Sequence, residues 1–439
     1  MTPRRPLVWA LVAWWLLAIA VAFWPGLVPA WQVLGLILGG IALADLIELA
    51  RLPSPGLERR LGHTLPLGVW SPVRITLTNA GRPLRLDLHD LHPVAFATRG
   101  LPAALRLGPR ERLRLEYRVC PPRRGDFTFT GCDLGVISPA GLWTQRRRIP
   151  LTEAVRVFPN FAEISRYTLL AANDQLSQIG VRRLQRRGAG AEFHQLREYR
   201  PGDELRQIDW KATSRLRRPI SREYQDERDQ RLVFLLDCGR CMRHQDTEPG
   251  QQGPVGHLDQ ALNALLLLAY VAARQGDAVG LMTYGGPRRW FAPRKGPDTV
   301  NRLLEAVYDL QPSQAAADPL EAAREVMVTQ RRRALVLILT NGRDEDQAEL
   351  HTAVRLLLRR HLVVVADLRE ASLDRALTVP VEGRDEALRL LAVLAYLEGR
   401  RLHHERLQHL GTHVLDLIPA QLPAALVNQY FAIKRAGAL

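Results

Sequence analysis

The sequence is short of the features that mark most catalytic classes. Four cysteines in 439 residues, Cys120, Cys132, Cys238 and Cys241, are too few for a disulfide scaffold and fit a reducing compartment. Their spacing matches no zinc module. No glycine-rich phosphate loop is present, because Gly188-Ala189-Gly190 lacks the lysine and hydroxyl that hold a nucleotide's phosphates. Ser214 and Ser221 stand in no nucleophile elbow. Acids are also scarce: 45 Asp and Glu face 60 Lys and Arg, a net charge of +15. That excess favours polyanions. Spread along the whole chain, it reads as a solvated basic surface near anionic lipid in preference to a nucleic-acid groove. Charge is missing altogether from Pro6 to Ala44.

The uncharged run breaks at Trp24-Pro25-Gly26. It leaves two apolar stretches, 7–24 and 27–49, each near the ~20 residues that cross a ~30 Å hydrocarbon core. Trp24 and Trp31 flank the break, where indoles suit the headgroup boundary. Arg4 and Arg5 precede the first stretch and Arg51, Arg59 and Arg60 follow the second, while the turn carries no basic residue. Positive-inside logic puts both ends in the cytoplasm. Residues 1–50 are therefore expected to be a transmembrane helical hairpin in the inner membrane, with Asp45 and Glu48 as interfacial residues where the second helix leaves the bilayer. A cleaved signal peptide would leave the second apolar stretch unexplained.

The whole chain is 47% hydrophobic and 24% charged, a globular composition, and it is long enough for two or three domains. Residues 51–60 read as a linker from their Pro and Gly content. Period-two runs such as Val73-Arg74-Ile75-Thr76-Leu77 and Leu113-Arg114-Leu115-Glu116-Tyr117 predict a small antiparallel β-sandwich over 61–158. A polar, arginine-rich segment fills 159–230. Over 231–439, wholly apolar runs such as Leu232-Val233-Phe234-Leu235-Leu236 alternate with helical patterns, which predicts a doubly wound parallel α/β sheet.

Ligands of such sheets bind beyond the strands' carboxyl ends, which here carry Asp237, Thr340-Asn341 and Asp367. The loop Asp237-Cys238-Gly239-Arg240-Cys241 resembles the first loop of von Willebrand factor A domains, whose metal site begins Asp-x-Ser-x-Ser. Gly239 and Cys241 replace the two serines, and 315–318 lacks the later threonine. A hard cation needs more oxygen donors, so the expected state is a degenerate site with Asp237 as its one strong ligand and no cofactor. Mg²⁺ is the ion it would take. Cys238 and Cys241 also form a Cys-x-x-Cys pair, whose redox use is opposed by the neighbouring Asp237 charge. His403, His404, His409 and His413 are expected to be solvated.

The densest segment runs from Gly188 to Arg215. Pro201-Gly202 predicts a turn, and Asp203 caps a helix through Arg215, on which Asp209 pairs with Arg206 and Trp210 is an aromatic anchor. Arg197, Glu198, Tyr199, Asp203, Arg206, Asp209, Trp210 and Arg215 together read as an interdomain staple or a partner-binding surface.

Glu-Phe-x-x-x-Arg-Glu-Tyr-x-x-Gly-Asp-x-x-Arg-x-Ile-Asp-Trp-Lys-Ala-x-x-Arg, from Glu192 to Arg215, resembles the signature of the domain-of-unknown-function 58 family. Arg222-Glu223-Tyr224, Asp237-x-Gly239-Arg240-x-Met242 and the turn Ser138-Pro139-x-Gly141-Leu142 fit the same pattern. The resemblance implies a membrane-tethered protein with a von Willebrand A-like domain, associated with MoxR-type AAA+ ATPases. The favoured reading is a non-enzymatic membrane adaptor. Its rivals are a metal-dependent hydrolase or nuclease using Asp237 with the acids near Asp203 and Asp209, and a redox protein using Cys238 and Cys241. The topology makes a direct forecast: protease added outside spheroplasts leaves the chain intact, whereas cleavage within 51–60 would reverse the orientation.

Overall fold

The uncharged N-terminal run folds as two helices, α1 (Arg5–Phe23) and α2 (Val28–Arg51), separated by one 3₁₀ turn at Pro25–Leu27. Both are long and apolar enough to cross a membrane by length and composition. Trp31 does not stand at the break as a free indole. It stacks on Trp14 with ring centroids 4.5 Å apart, and each indole N–H donates to the other residue's carbonyl, at 3.2 and 3.1 Å. Gly35 permits this approach, since a Cβ there would lie 2.7 Å from the Trp14 ring.

The computed structural model describes residues 1–160, 192–199, 208–225, 230–246, 255–343 and 347–437, which fall into two units, Met1–Phe158 and Pro159–Leu439. In the first unit the period-two segments form β1 (Gly56–Arg60), β2 (Ser71–Thr78), β3 (Leu84–Leu91), β4 (Ala103–Leu107), β5 (Arg112–Cys120), β6 (Gly125–Ile137) and β7 (Trp143–Phe158). One sheet orders its main strands β7-β6-β3-β4, and the other runs β1-β2-β5 before the short strand Ala97–Arg99. Alternate residues of both sheets, among them Val73, Ile75, Leu86, Leu88, Phe129 and Leu134, share one buried cluster with Leu49 of α2. Residues 51–60, expected as a linker, hold the last residue of α2, a short connection over 52–55 and strand β1.

That strand delivers Arg59 into the interior. Its guanidinium forks onto Asp90 of β3, with Nε to Oδ2 at 3.0 Å, and also donates to the carbonyls of Leu151 (2.8 Å) and Gly131 (3.0 Å). A bulge in β7 between Pro150 and Glu153 turns the Leu151 carbonyl toward it. Asp90 also accepts from the Tyr117 hydroxyl and, at 3.4 Å, from the Cys132 thiol. Burial and the Asp90 charge raise the Tyr117 pKa and push Cys132 up to about 12, so both remain donors.

Asp45 has a larger part than that of an interfacial residue. It is 5% exposed and accepts the backbone N–H groups of Ala140 (2.9 Å) and Leu142 (3.2 Å). The Trp143 indole donates to the Ala42 carbonyl at 2.9 Å, and Arg147 donates to the carbonyls of Leu49 and Leu52 at 3.0 and 2.7 Å. The end of α2 is thereby bound to the Ser138–Leu142 turn and the start of β7.

The second unit contains a two-stranded ladder, β8 (Glu192–Glu198) with β9 (Ile220–Gln225), and the helix α3 (Trp210–Leu216) between them in sequence. A six-stranded sheet follows. Its strands are β10 (Arg231–Asp237), β11 (Ala278–Tyr284), β12 (Trp290–Arg294), β13 (Leu335–Thr340), β14 (Leu362–Leu368) and β15 (His413–Leu417), in the order β12-β11-β10-β13-β14-β15. All neighbours are parallel except the antiparallel edge strand β12. Helices α4 (His257–Arg274), α5 (Thr299–Val307) and α9 (Leu422–Arg435) pack with one face of the sheet. Helices α6 (Pro319–Thr329), α7 (Gln347–Leu357) and α8 (Arg384–His409) contribute to the opposite core. Coverage of both faces is what the wholly apolar strands require. Asp277, at the α4–β11 turn, holds α9 through the Tyr430 hydroxyl and Lys434 Nζ (2.8 Å).

Asp90→Ala strands a buried guanidinium and is expected to cost roughly 3–5 kcal/mol. Arg74→Ala breaks an exposed pair with Glu116 and should stay within about 0.5 kcal/mol. Thermal melts of the two variants measure the contrast, and equal melting temperatures would refute the structural role given to Asp90.

Candidate functional site

Parallel strands point their last residues at one edge, and polar groups gather there. Asp237 ends β10 and is 2% exposed. Its Oδ1 accepts the Gly239 N–H at 2.7 Å and its Oδ2 the Thr340 hydroxyl at 2.8 Å. Gly285, after β11, crosses this loop at φ +72°. A Cβ there would lie 2.8 Å from the Gly239 nitrogen and 3.0 Å from Asp237 Oδ1, so only glycine fits. Residues 313–315 lace the loop from the other side: the Ser313 N–H donates to the Cys238 carbonyl at 2.7 Å, and the Arg240 N–H to the Ala315 carbonyl at 3.0 Å. A cavity of about 440 Å³ opens beside them, lined by Gly285, Gly286, Arg288, Ser313, Asp318 and Glu321 among others.

The structure therefore brings residues 313–317 to the loop after Asp237, with an oxygen-poor donor set. Gly239 has no side chain, Cys241 is 6% exposed, and the Ser313 hydroxyl is bonded to the Gly285 carbonyl. Cys238 and Cys241 are buried free thiols. The turn after Gly239 is a four-residue 3₁₀ segment, Arg240–Arg243, so no α-helix dipole falls on Cys241.

At the end of β14, Asp367 accepts the Gly342 N–H at 2.7 Å and meets His404 Nε2 at 2.7 Å and Arg400 at 2.9 Å. Arg400 further donates to the carbonyls of Leu368 and Gly342 and to Asp416. This corrects the reading of His403 and His404 as solvated, since they are 5% and 7% exposed, while His409 and His413 are exposed as expected. The missed signal was spacing. Arg400, His403, His404 and Leu407 occupy one stripe of α8, and Leu407 marks it as the inner one.

The signature segment is only partly as expected. Asp203 and Arg206 lie outside the described residues, so the Asp203 cap and the Asp209–Arg206 pair lie there too. The helix that ends beyond Arg215 begins at Trp210, and its cap is Asp209, whose carboxylate accepts the Ala212 N–H at 2.9 Å. Asp209 also donates its own N–H to the Ile220 carbonyl at 2.8 Å. Arg197 pairs with Ser221 in the β8–β9 ladder, the Tyr199 N–H donates to the Pro219 carbonyl, and Glu198 lies 3.8 Å from Arg218 at the surface. Trp210, expected as the aromatic anchor of a staple or of a partner surface, is 71% exposed, and Arg215 is exposed beside it.

Comparison with known proteins finds a family model that matches within the second unit. The model of a family described as "Protein of unknown function DUF58" matches residues 195–409. Uncharacterized protein YeaD of Bacillus subtilis (strain 168) is 22% identical over 283 residues, which span 62% of this chain and 64% of that protein. Among solved structures, conserved hypothetical protein BatB from Bacteroides thetaiotaomicron is similar at 13% identity and a TM-score of 0.32, over 47% of this chain and 99% of that one. A von Willebrand factor type A protein from Catenulispora acidiphila is similar at 15% identity and a TM-score of 0.31, over 49% of this chain and 44% of that one. An aerotolerance-related membrane protein from Bacteroides fragilis NCTC 9343 is similar at 16% identity and a TM-score of 0.29, over 46% of this chain and 97% of that one.

Burial pushes His361 and His403 down from 6.5 to about 4. Between those values the unfolded chain binds protons that the folded chain refuses, so stability falls as pH drops from 6.5 to 4. His403→Leu should flatten this acid limb in pH-dependent melts; an unchanged slope would mean that His403 titrates normally.

Proposed function

We propose that this chain, whose residues 195–409 belong to the domain-of-unknown-function 58 family, is a non-enzymatic adaptor anchored in the inner membrane with its bulk in the cytoplasm. In this reading α1 and α2 span the bilayer and the first unit is a β-sandwich. The second is a doubly wound, von Willebrand A-like α/β domain that docks a MoxR-type AAA+ ATPase in protein maturation or envelope stress. The basic surface faces anionic lipid.

One observation carries the docking role. Trp210 is 71% exposed on a helix only seven residues long, with Leu216 45% and Leu196 41% exposed nearby in sequence and in the paired ladder. An indole left mostly exposed among the described residues is poorly used in water, and Trp and Arg dominate the energetic centres of protein interfaces. Lys211, Arg215, Arg217 and Arg218 are exposed in the same stretch, which suits an acidic partner face. Against hydrolysis at Asp237 stands its donor set: both carboxylate oxygens already accept from the protein, and Gly239 and Cys241 offer no hydroxyl for Mg²⁺.

The test is a pull-down of the ATPase by detergent-solubilised full-length protein, beside thermal melts. Trp210→Ala and Arg215→Ala should keep the melting temperature and lose the ATPase. Asp209→Ala should cost about 1 kcal/mol through the lost helix cap and weaken capture. Retention of the ATPase by Trp210→Ala would sink the docking role.

A further inference from the structure

Next to the strand ends, a short ladder brings together three groups that the site described above does not use. Gln245 pairs with Gly256 and Asp246 with Val255 in antiparallel register. Extending that register by one residue sets His244 opposite His257, and the His257 N–H does donate to the His244 carbonyl at 2.9 Å. Residues two apart on a strand share a face, so Asp246 joins both imidazoles. Their rings meet edge to face with centroids 4.8 Å apart.

The donor atoms are spaced as metal ligands are. His257 Nε2 lies 2.9 Å from Asp246 Oδ2, His244 Nε2 lies 3.5 Å from Asp246 Oδ1, and one donor from each residue falls within 4.8 Å of the others. Zinc bonds of ~2.0–2.1 Å in a tetrahedron separate neighbouring donors by about 3.3 Å. The His257 and Asp246 side chains are 0% and 5% exposed, and His244 is 31% exposed, which leaves an entrance on one side. Two atoms here are buried without a hydrogen bond among the described residues: His244 Nε2 and Asn341 Oδ1. The Asp246 carboxylate thus lies between two imidazoles, one on each of its oxygens.

We propose that His244, Asp246 and His257 bind one divalent transition-metal ion of the zinc class, with the fourth position open on the His244 side. Two imidazoles are borderline donors that favour Zn²⁺ and its neighbours over Mg²⁺, and one carboxylate completes a set those ions accept. The surroundings already hold the ligands in place. The Ala371 N–H donates to Asp246 Oδ2 at 3.2 Å, and the Asn341 amide meets His257 Nδ1 at 3.3 Å. With the ion bound, the His257 proton moves from Nε2 to Nδ1, and the Asn341 amide turns over so that its orphan Oδ1 accepts that proton. This gives up the present bond from Asn341 to the Cys241 carbonyl and gains the outer hydrogen bond that orients a metal-bound imidazole. The site is independent of the adaptor reading and separate from the Asp237 oxygens.

Chelator-stripped full-length protein in detergent, titrated with Zn²⁺ by calorimetry and with Co²⁺ by visible absorption, tests it. One Zn²⁺ per chain, the intense visible bands of four-coordinate Co²⁺, and a rise in melting temperature with Zn²⁺ are expected. His244→Ala is the decisive variant because its side chain is partly exposed. It should melt as the stripped wild type does and lose affinity by more than about 100-fold, since even an outer-sphere partner is worth ~10–100-fold. Asp246→Asn should behave likewise. Absence of a stoichiometric ion, or Zn²⁺ binding undiminished in His244→Ala and therefore held elsewhere, for example by Cys238 and Cys241, overturns the site.

Discussion

A charge taken out of water must be met atom for atom by the protein, and the first unit is organised around one such obligation. Asp90 is 0% exposed, and its two oxygens are met by a guanidinium, a phenol and a thiol. Arg59 and Tyr117 come from one sheet and Asp90 and Cys132 from the other. The register of each sheet is therefore tied to that of its neighbour. A slip of one residue in β1 would turn Arg59 outward and leave the carboxylate unmatched. The bulge in β7 belongs to the same arrangement, since it supplies the carbonyl that takes another guanidinium proton.

The second unit applies the same rule at more places. Asp237, Asp367 and Asp277 are each about 1–2% exposed and each turned toward donors of the protein itself. Carboxylates so occupied fasten loops to strand ends. What faces outward is different in kind: an aromatic ring and basic side chains on a short capped helix. The division between an inward polar set and an outward Trp–Arg set is the physical basis for reading the domain as a platform for a partner.

Much of this was legible in the sequence because it depends on local periodicity. The alternation in Val73–Leu77 and the unbroken apolar run in Leu232–Leu236 report one wet face and two covered faces respectively. The positions of Asp237, Asn341 and Asp367 at strand ends follow from the same runs. What periodicity does not carry is the identity of distant partners. Asp45 meets Ala140 across 95 positions and Arg59 meets Asp90 across 31, so one read as interfacial and the other as part of a linker. Trp210 was ambiguous for a related reason: an aromatic in a polar segment is equally consistent with packing inside and with waiting outside. His244 and His257 escaped notice because a two-residue ladder has too little length to show a pattern.

The grip of Asp45 on the Ser138–Leu142 turn bears on mechanics. A 24-residue helix is a rod of ~36 Å, and its last turns are built into the sheets instead of ending in a swivel. If that rod spans a bilayer, its inclination is also the inclination of the sheets to the membrane plane. A change in hydrocarbon thickness that alters the tilt of α2 is then transmitted as a rotation of the attached sheets, with the helix as the lever arm and the carboxylate of Asp45 at its bearing.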